Sequence, residues 1–431
     1  MPAKYPIFPI QTDTACLLKW SWSTIYFNSG STASCHRTKK FAIDPDNFDQ
    51  FHNLPDKIAA RTVMLNGQWP ADGCQYCQSV EESGGYSDRQ FNLYQQENVK
   101  LVPPELLTNS KETSITPTIV EVYFKNTCNM ACVYCGPHHS SLWEEENRKF
   151  DESFGNDATE YSVRLSQFNS NYDRMVNDFW NYLSTDNRYQ VIQRYHILGG
   201  EPFLLKELDD SIDFWNTHGN PDLTFSIISN LNIPHERFKK YIHQFERLVL
   251  RNKIWQLQLT ASLDCWGPEQ EYVRYGLNLE TWLQNFEYCI DRPWISLSIN
   301  SAISALTIKG LPTLLEKINH WNTRQTKVAG RWQSEPIIHS FNTSGQQDNP
   351  YIFGSGVFDN DFEKILQLMP KNNSIQQGRF LAMEGIANKQ KNSIRDNTYI
   401  ENLKTYLDQL DVRRKTNWRT QFGWLDQDFS V

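Results

Sequence analysis

The chain has 431 residues, 39% of them hydrophobic and 13% aromatic, with a formal charge of −8 and a pI near 5.7. That length allows one large domain with additions or two to three domains, and the apolar content is enough to build a full core. The acidic balance disfavours long nucleic acid as a partner, no run approaches the ~18 apolar residues that cross a bilayer, and residues 1–10 lack the basic-then-apolar pattern of a secretory signal.

Nine cysteines, an odd number, with no secretory signal make a poor disulfide framework. A reducing, cytoplasmic setting is therefore expected, one that suits thiolates bound to metal. Three regions are expected in chain order. A cysteine-rich region spans 1–110, a βα region spans 111–345, and a helical region spans 346–431.

Residues 1–100 are dense in aromatics, turn residues and cysteines, with little clean periodicity. They hold Cys16, Cys35 and the pair Cys74 and Cys77 in Cys74-Gln75-Tyr76-Cys77. Four thiolates suit a closed metal site, and Zn²⁺ or a fully ligated [4Fe–4S] cluster both satisfy that count. Cys16 lies far from the other three in sequence, and His36 is its possible substitute.

From residue 118 onward, apolar runs and helical patterns alternate. Strands are expected at 118–124, 192–198, 223–229, 255–262, 294–300 and 336–340. Helices are expected near 172–185, 203–217, 234–246, 279–290 and 311–321. About six βα units imply a parallel sheet with right-handed crossovers, a partial (β/α)6 barrel rather than a closed eight-stranded one. Functional residues should then gather at the C-terminal strand ends. The segment 136–170 is polar and reads as a loop with short helical pieces. From about 359 the chain reads as mostly helical, and the charges of Asp411 and Arg413 read as a solvated helix end, with a docking role for the two as the alternative.

Each candidate motif falls at a strand end. Cys128-Asn129-Met130-Ala131-Cys132-Val133-Tyr134-Cys135 follows the first strand. Gly199-Gly200-Glu201-Pro202 follows the second, Ser229-Asn230 the third, Ser262-Leu263-Asp264 the fourth and Asn300-Ser301 the fifth. Three thiolates on one short loop can hold three corners of a cubane [4Fe–4S] cluster and leave its fourth iron without a protein ligand. A cluster that only stores an electron normally has four Cys ligands, whereas a metal site that does chemistry keeps a position open.

With Cys128-x3-Cys132-x-Tyr134-Cys135 followed one strand later by Gly199-Gly200-Glu201-Pro202, the chain resembles the radical S-adenosylmethionine enzymes over roughly residues 118–310. The resemblance implies that Cys128, Cys132 and Cys135 hold the cluster. S-adenosylmethionine would chelate its open iron, and one-electron reduction would release methionine and a 5′-deoxyadenosyl radical that abstracts a substrate hydrogen. It also implies a cofactor pocket. Gly199 and Gly200 would let backbone approach the methionine amino group, with Glu201 accepting a hydrogen bond nearby. Ser229 and Asn230 would face the ribose or carboxylate, and Tyr134 would pack near the adenine. Ser262 and Asp264 would also belong to the cofactor site, Asn300 and Ser301 would line the adenosyl pocket, and Arg274 would fork onto a carboxylate.

The N-terminal cysteines, with Trp69-Pro70-x2-Gly73-Cys74-x2-Cys77 followed by Glu81, Ser87 and Arg89, resemble the auxiliary-cluster region of the SPASM and twitch subgroup, although there that half-domain usually follows the barrel. This implies a second, auxiliary [4Fe–4S] cluster on Cys16, Cys35, Cys74 and Cys77. It also implies an external one-electron reductant such as flavodoxin or ferredoxin, and a peptide or protein side chain as substrate, docked on 136–170 and the aromatic N-terminus. A small metabolite or nucleotide is the alternative substrate. From other classes, the rivals are a zinc-stabilised binding module, with His138 or His139 completing the three-cysteine set, and a two-cluster electron carrier, which would have no use for the glycine-rich turn.

Overall fold

Several strands of this sheet alternate between apolar and polar residues along their length. The computed structural model describes residues 5–152, 154–155, 169–324, 332, 336–345 and 347–426. Its single nine-stranded sheet comprises β1 (Trp22–Tyr26), β2 (Ser31–Ala33), β3 (Phe41–Ala42), β4 (Ile119–Tyr123), β5 (Arg194–Leu198), β6 (Thr224–Ser229), β7 (Gln256–Ser262), β8 (Ile295–Ile303) and β9 (Ile338–Thr343). The order across the sheet is β3-β2-β1-β4-β5-β6-β7-β8-β9, so the sheet is open. β1 and β4 to β9 run parallel, with β2 and β3 added antiparallel at one edge.

One face carries Val120, Val122, Tyr195, Ile197, Phe225, Ile227, Leu257, Leu259, Leu297 and Ile299, all buried in the main core. The helices that cross between strands are α1 (Tyr172–Ser184), α2 (Lys206–Thr217), α3 (His235–Leu250), α4 (Leu279–Ile290) and α5 (Leu311–Arg324). Each brings a stripe of large apolar residues to that core, such as Phe179, Trp215, Phe245, Phe286 and Trp321. The opposite face is polar. At one register it presents Thr24, Glu121, His196, Ser226, Gln258 and Ser296 across six neighbouring strands. The sheet is therefore one-sided, with oil behind it and hydrogen-bonding groups in front.

All six expected βα strands form, with shifted ends. The expected 294–300 strand continues to Ile303, and the expected 336–340 strand is displaced to Ile338–Thr343. The N-terminal region lacked a readable strand pattern, yet it supplies β1, which pairs with β4 over five residues. A smaller apolar cluster, including Tyr5, Phe8, Trp20, Leu93 and Leu106, packs beneath it, and Cys16, Cys35 and Cys74 lie against that cluster.

Of the polar segment 136–170, Ser141–Phe150 is a helix capped by the Ser140 side chain, while residues 156–168, named above as part of a docking surface, lie outside the described residues. The C-terminal helix Asn397–Arg414 docks on this helix and on the cysteine loop. Tyr406 donates from its hydroxyl to Val133 O at 2.8 Å. Arg414 pairs with Glu146 at 3.0 Å, and its guanidinium lies 4.5 Å from the centre of the Trp143 ring. Arg413 donates to Asn147 Oδ1 at 3.0 Å and stacks over Phe154. Asp411 accepts from Tyr272 OH at 2.9 Å and Trp418 N at 2.7 Å. The expectation of solvated charges here is therefore corrected, because aromatic faces and carboxylates of another element enclose both arginines.

Breaking a buried ion pair strands the surviving charge. Glu146→Ala should lower stability by about 3 kcal/mol, read as a drop in the thermal unfolding midpoint, because it leaves the buried Arg414 without its carboxylate. An unchanged midpoint would mean that the tail is not held by this contact.

Candidate functional site

The cysteine loop leaves the C-terminal end of β4 and is fixed by its own backbone. Ala131 N donates to Tyr275 O at 2.8 Å and Val133 N to Val273 O at 2.7 Å. Ser140 Oγ donates to Met130 O at 2.5 Å, Trp143 Nε1 to Cys132 O at 3.0 Å, and the Ser141 hydroxyl bridges Cys128 N and O. Met130, Ala131 and Val133 enter the core, which anchors the loop between its cysteines.

The glycine turn after β5 meets this loop edge to edge. Gly200 N donates to Lys125 O at 3.1 Å and Glu201 N to Thr127 O at 2.8 Å. A Cβ on Gly200 would stand 2.3 Å from Thr127 O and 2.5 Å from Asn126 O, and one on Gly199, whose φ is +153°, would stand 2.9 Å from Lys125 O. The bare glycines thus make room for the cysteine loop itself. Both glycines also line the cavity, so their backbone borders the space in which a ligand would lie.

Cys128, Cys132, Tyr134, Cys135, Gly199, Gly200, Ser229, Asn230, Ser262, Arg274, Asn300 and Ser301 all line one cavity of about 660 Å³. That size is ample for a nucleotide-sized guest. Apolar Met130, Leu198 and Ile228 share the lining. Two expected residues, Glu201 and Asp264, do not line it and act one step behind. Glu201 is fully buried and accepts from Ser229 Oγ at 2.8 Å, Asn230 N at 2.7 Å and Phe203 N at 3.1 Å. Burial outweighs those three bonds and pushes its carboxyl up to about 7. Asp264 accepts from Arg274 Nε and Nη2, both at 2.8 Å, from Tyr134 OH at 2.7 Å and from Ala302 N at 2.8 Å. Arg274 therefore already holds a protein carboxylate. Only its Nη1 carries no hydrogen bond among the described residues.

Asn230 bridges the two halves of the rim. Its side-chain amide donates to Asn129 Oδ1 at 2.9 Å and lies 3.8 Å from Cys128 Sγ. The next residue, Leu231, is held at φ +52°, a region non-glycine residues rarely visit. Ser229 Oγ accepts from Leu231 N at 2.9 Å and so supports that bend. Ser301 Oγ donates to Leu263 O at 2.6 Å and meets His339 Nε2 at 2.8 Å. Burial drives the Cys128 thiol up to about 12, with Cys132 adding to the effect, and also raises Cys132 against the pull of Arg274. Thiols in such a place gain most from a cation that lets them ionise.

His139, named above only as a zinc ligand of the rival reading, lines the cavity too, and sequence reading missed Asn342, Thr343, Ser344 and Gly345 in its wall. The rule that function sits at strand ends could have found the β9 residues, had its end been placed at Thr343 rather than at residue 340.

A second, smaller cavity is lined by Cys16, Cys35, Cys74 and Cys77, with Lys19, His36, Arg37, Trp69, Asp88 and Arg89 among its other walls. Cys16 comes in as the residue before a short helix, Leu17–Ser21, and Cys74 as the residue before another, Gln75–Glu82. His36 is bound 3.4 Å from Asp88. Burial raises all four thiols, Cys16 to about 12. Among the described residues no three His, Cys, Asp or Glu side chains close in on one point as ligands of a single ion. In both sets the thiols border a space instead.

No family model matches the chain, and no curated protein matches it. A solved structure of TYW1 with a lysine–pyruvate adduct bound is similar over 57% of this chain and 70% of that one, with 16% sequence identity and a TM-score of 0.25.

Two outcomes follow from the geometry of the turn. Gly200→Ala should displace the cysteine loop and lower stability by about 2 kcal/mol, read as a drop in the thermal unfolding midpoint, because two backbone carbonyls must give way; a midpoint equal to that of the unaltered chain would mean that the loop yields without cost. Glu201 binds its proton more tightly folded than unfolded, so its contribution is full below about pH 4.5 and is lost as pH rises through about 7. Stability should therefore fall by roughly 3 kcal/mol over that window through this one group. In Glu201→Gln the slope of unfolding free energy against pH should flatten there; an unaltered slope would contradict the assignment.

Proposed function

We propose that the chain is a radical S-adenosylmethionine enzyme whose reaction centre occupies the larger cavity. One observation carries this reading: three thiols from one loop, with no fourth cysteine, border a nucleotide-sized cavity at the C-terminal ends of parallel strands. In this reading Cys128, Cys132 and Cys135 are the thiolate ligands of a [4Fe–4S] cluster, and the donor set fits three irons while leaving one open. When bound, that cluster together with S-adenosylmethionine supplies reductive cleavage of the sulfonium and a 5′-deoxyadenosyl radical.

The protein's part is position and shielding. Arg274 Nη1 is the donor left for a ligand carboxylate, and the Asp264 pair locks the plane of the guanidinium before any ligand arrives. Ser229 and Asn230, tied down by the buried Glu201, offer polar groups at a fixed height on the rim. Tyr134, its hydroxyl held by Asp264, presents a ring face suited to a base. Met130, Leu198 and Ile228 keep the inner wall apolar and help exclude water.

The same proposal gives the smaller cavity a metal–thiolate centre on Cys16, Cys35, Cys74 and Cys77, an auxiliary [4Fe–4S] cluster, with zinc as the alternative that the same donors suit. The substrate is proposed to be a peptide or protein side chain, for which the amide and hydroxyl groups of Asn342, Thr343 and Ser344 on the rim offer backbone-type hydrogen bonds. The electron is proposed to come from a carrier of the flavodoxin or ferredoxin kind.

Protein reconstituted with iron and sulfide under anaerobic conditions and reduced with dithionite should convert S-adenosylmethionine to 5′-deoxyadenosine, and Cys132→Ala should bring this to background. If a variant with Cys128, Cys132 and Cys135 all replaced by Ala still forms 5′-deoxyadenosine, the reading fails. That same triple variant should keep about four irons on the N-terminal thiols; stoichiometric zinc and no iron would replace the auxiliary cluster with a zinc centre.

A further inference from the structure

The helix Pro55–Leu65 is amphipathic the wrong way round. Its fully or nearly fully buried face is Lys57, Ala60, Arg61 and Met64, at the spacing of one helical stripe, while Ile58 and Val63 are only half-buried. Met64 reaches the wall of the four-thiol cavity. Lys57 and Arg61 are both wholly buried, a rare state for either side chain without an anionic partner.

Neither cation has such a partner. Lys57 Nζ donates to Thr32 Oγ1 at 2.7 Å, Ser23 Oγ at 2.8 Å and Ala33 O at 3.3 Å. Arg61 donates to Lys19 O, Asn53 Oδ1, Thr113 O and His52 O at 2.7–3.0 Å, with His52 Nε2 also 2.8 Å from Nη2. Every acceptor is neutral, and among the described residues no carboxylate lies within ion-pair distance of either. The nearby acids are already committed: Asp72 to Lys19, Glu81 to Arg89 and Asp88 to Arg37. Burial holds the Lys57 ammonium well below the usual lysine range and brings Arg61 down to about 9, so two basic groups wait for an anion, two residues from Cys35 at Ala33 and one hydrogen bond from the cavity-lining Lys19.

A centre on four thiolates has the complementary charge. Four ionised cysteines around Zn²⁺ or around an oxidised [4Fe–4S] core leave a net charge of about −2. We infer that Lys57 and Arg61 are the built-in counter-charges of a dianionic metal–thiolate centre in the Cys16–Cys35–Cys74–Cys77 cavity. The inference rests on the metal–thiolate reading of that cavity and adds the residues that neutralise it. They act through the field they set on the thiolates and are positioning residues, touching no metal.

The effect of removing one charge must change sign with occupancy. In metal-free protein Lys57→Met takes away a buried amine that has no anionic partner, so the thermal midpoint should rise. In protein loaded with zinc, or with iron and sulfide, the same change strips a counter-charge from the centre. The midpoint should then fall below that of the loaded unaltered chain, and zinc affinity should drop about 10–100-fold. If the centre is a cluster, its reduction potential should also become more negative. Arg61→Met should repeat both signs, and it serves as the independent reading if Lys57→Met does not fold. Midpoint shifts of one sign in both forms, with unchanged zinc affinity, would overturn the inference. A chain with Cys128, Cys132 and Cys135 replaced by Ala that takes up neither zinc nor iron would overturn instead the metal reading beneath it.

Discussion

Everything at the larger cavity is referred to the crossing of two backbone segments, the loop after β4 and the turn after β5. They touch so closely at Gly200 that a single methyl group would collide with two carbonyl oxygens. The contact sets the height of Cys128 relative to the turn. Glu201 then carries that reference across to β6, because its carboxylate takes both Ser229 Oγ and Asn230 N. Asn230 closes the circuit by reaching back to Asn129 beside Cys128. Loop, turn and third strand end are therefore fixed relative to one another before any guest arrives, and such pre-organisation is what reactive sites require.

The two thiol sets sit in different electrostatic settings. Around the larger cavity the buried cation Arg274 is balanced by Asp264 in a two-point pair, and the buried Glu201, which has only neutral partners, is pushed toward its protonated form. The field of Arg274 reaches Cys132, and that of the tail residue Arg414 does too, so the C-terminal helix contributes to the loop in charge as well as in packing. Around the smaller cavity the pairs are also drawn up, except for Lys57 and Arg61, whose charge finds only neutral oxygens. Burial alone would make four adjacent thiols resist ionisation. An excess of buried positive charge acts in the opposite direction.

Much of this was legible from residue order because strand ends and polar motifs coincide. The five rim motifs lie at strand ends, and of the candidate site residues read from them all but Glu201 and Asp264 line the cavity. Those two could not be told apart from ligand-facing neighbours by sequence, since a carboxylate two residues further along a turn can point to either side. The alternation in Arg194-Tyr195-His196-Ile197-Leu198 and in Gln256-Leu257-Gln258-Leu259 went unread, although it is the direct signature of a sheet with one polar face. β1 escaped notice because Trp22-Ser23-Thr24-Ile25-Tyr26 is short, and its pairing with β4 is 97 residues distant at Thr24 and Glu121. The tail arginines escaped because a run of charge at a helix end looks the same whether water or Trp143 and Phe154 cover it.

The central claim is that the loop of Cys128, Cys132 and Cys135 holds a cluster with one iron open to a ligand. Low-temperature electron paramagnetic resonance of the anaerobically reduced full chain, before and after S-adenosylmethionine is added, addresses it most directly. The account predicts that the spectrum shifts on addition, and that the shifting component is missing from the variant with those three cysteines replaced by Ala. A cluster spectrum that stays the same with and without S-adenosylmethionine would contradict it.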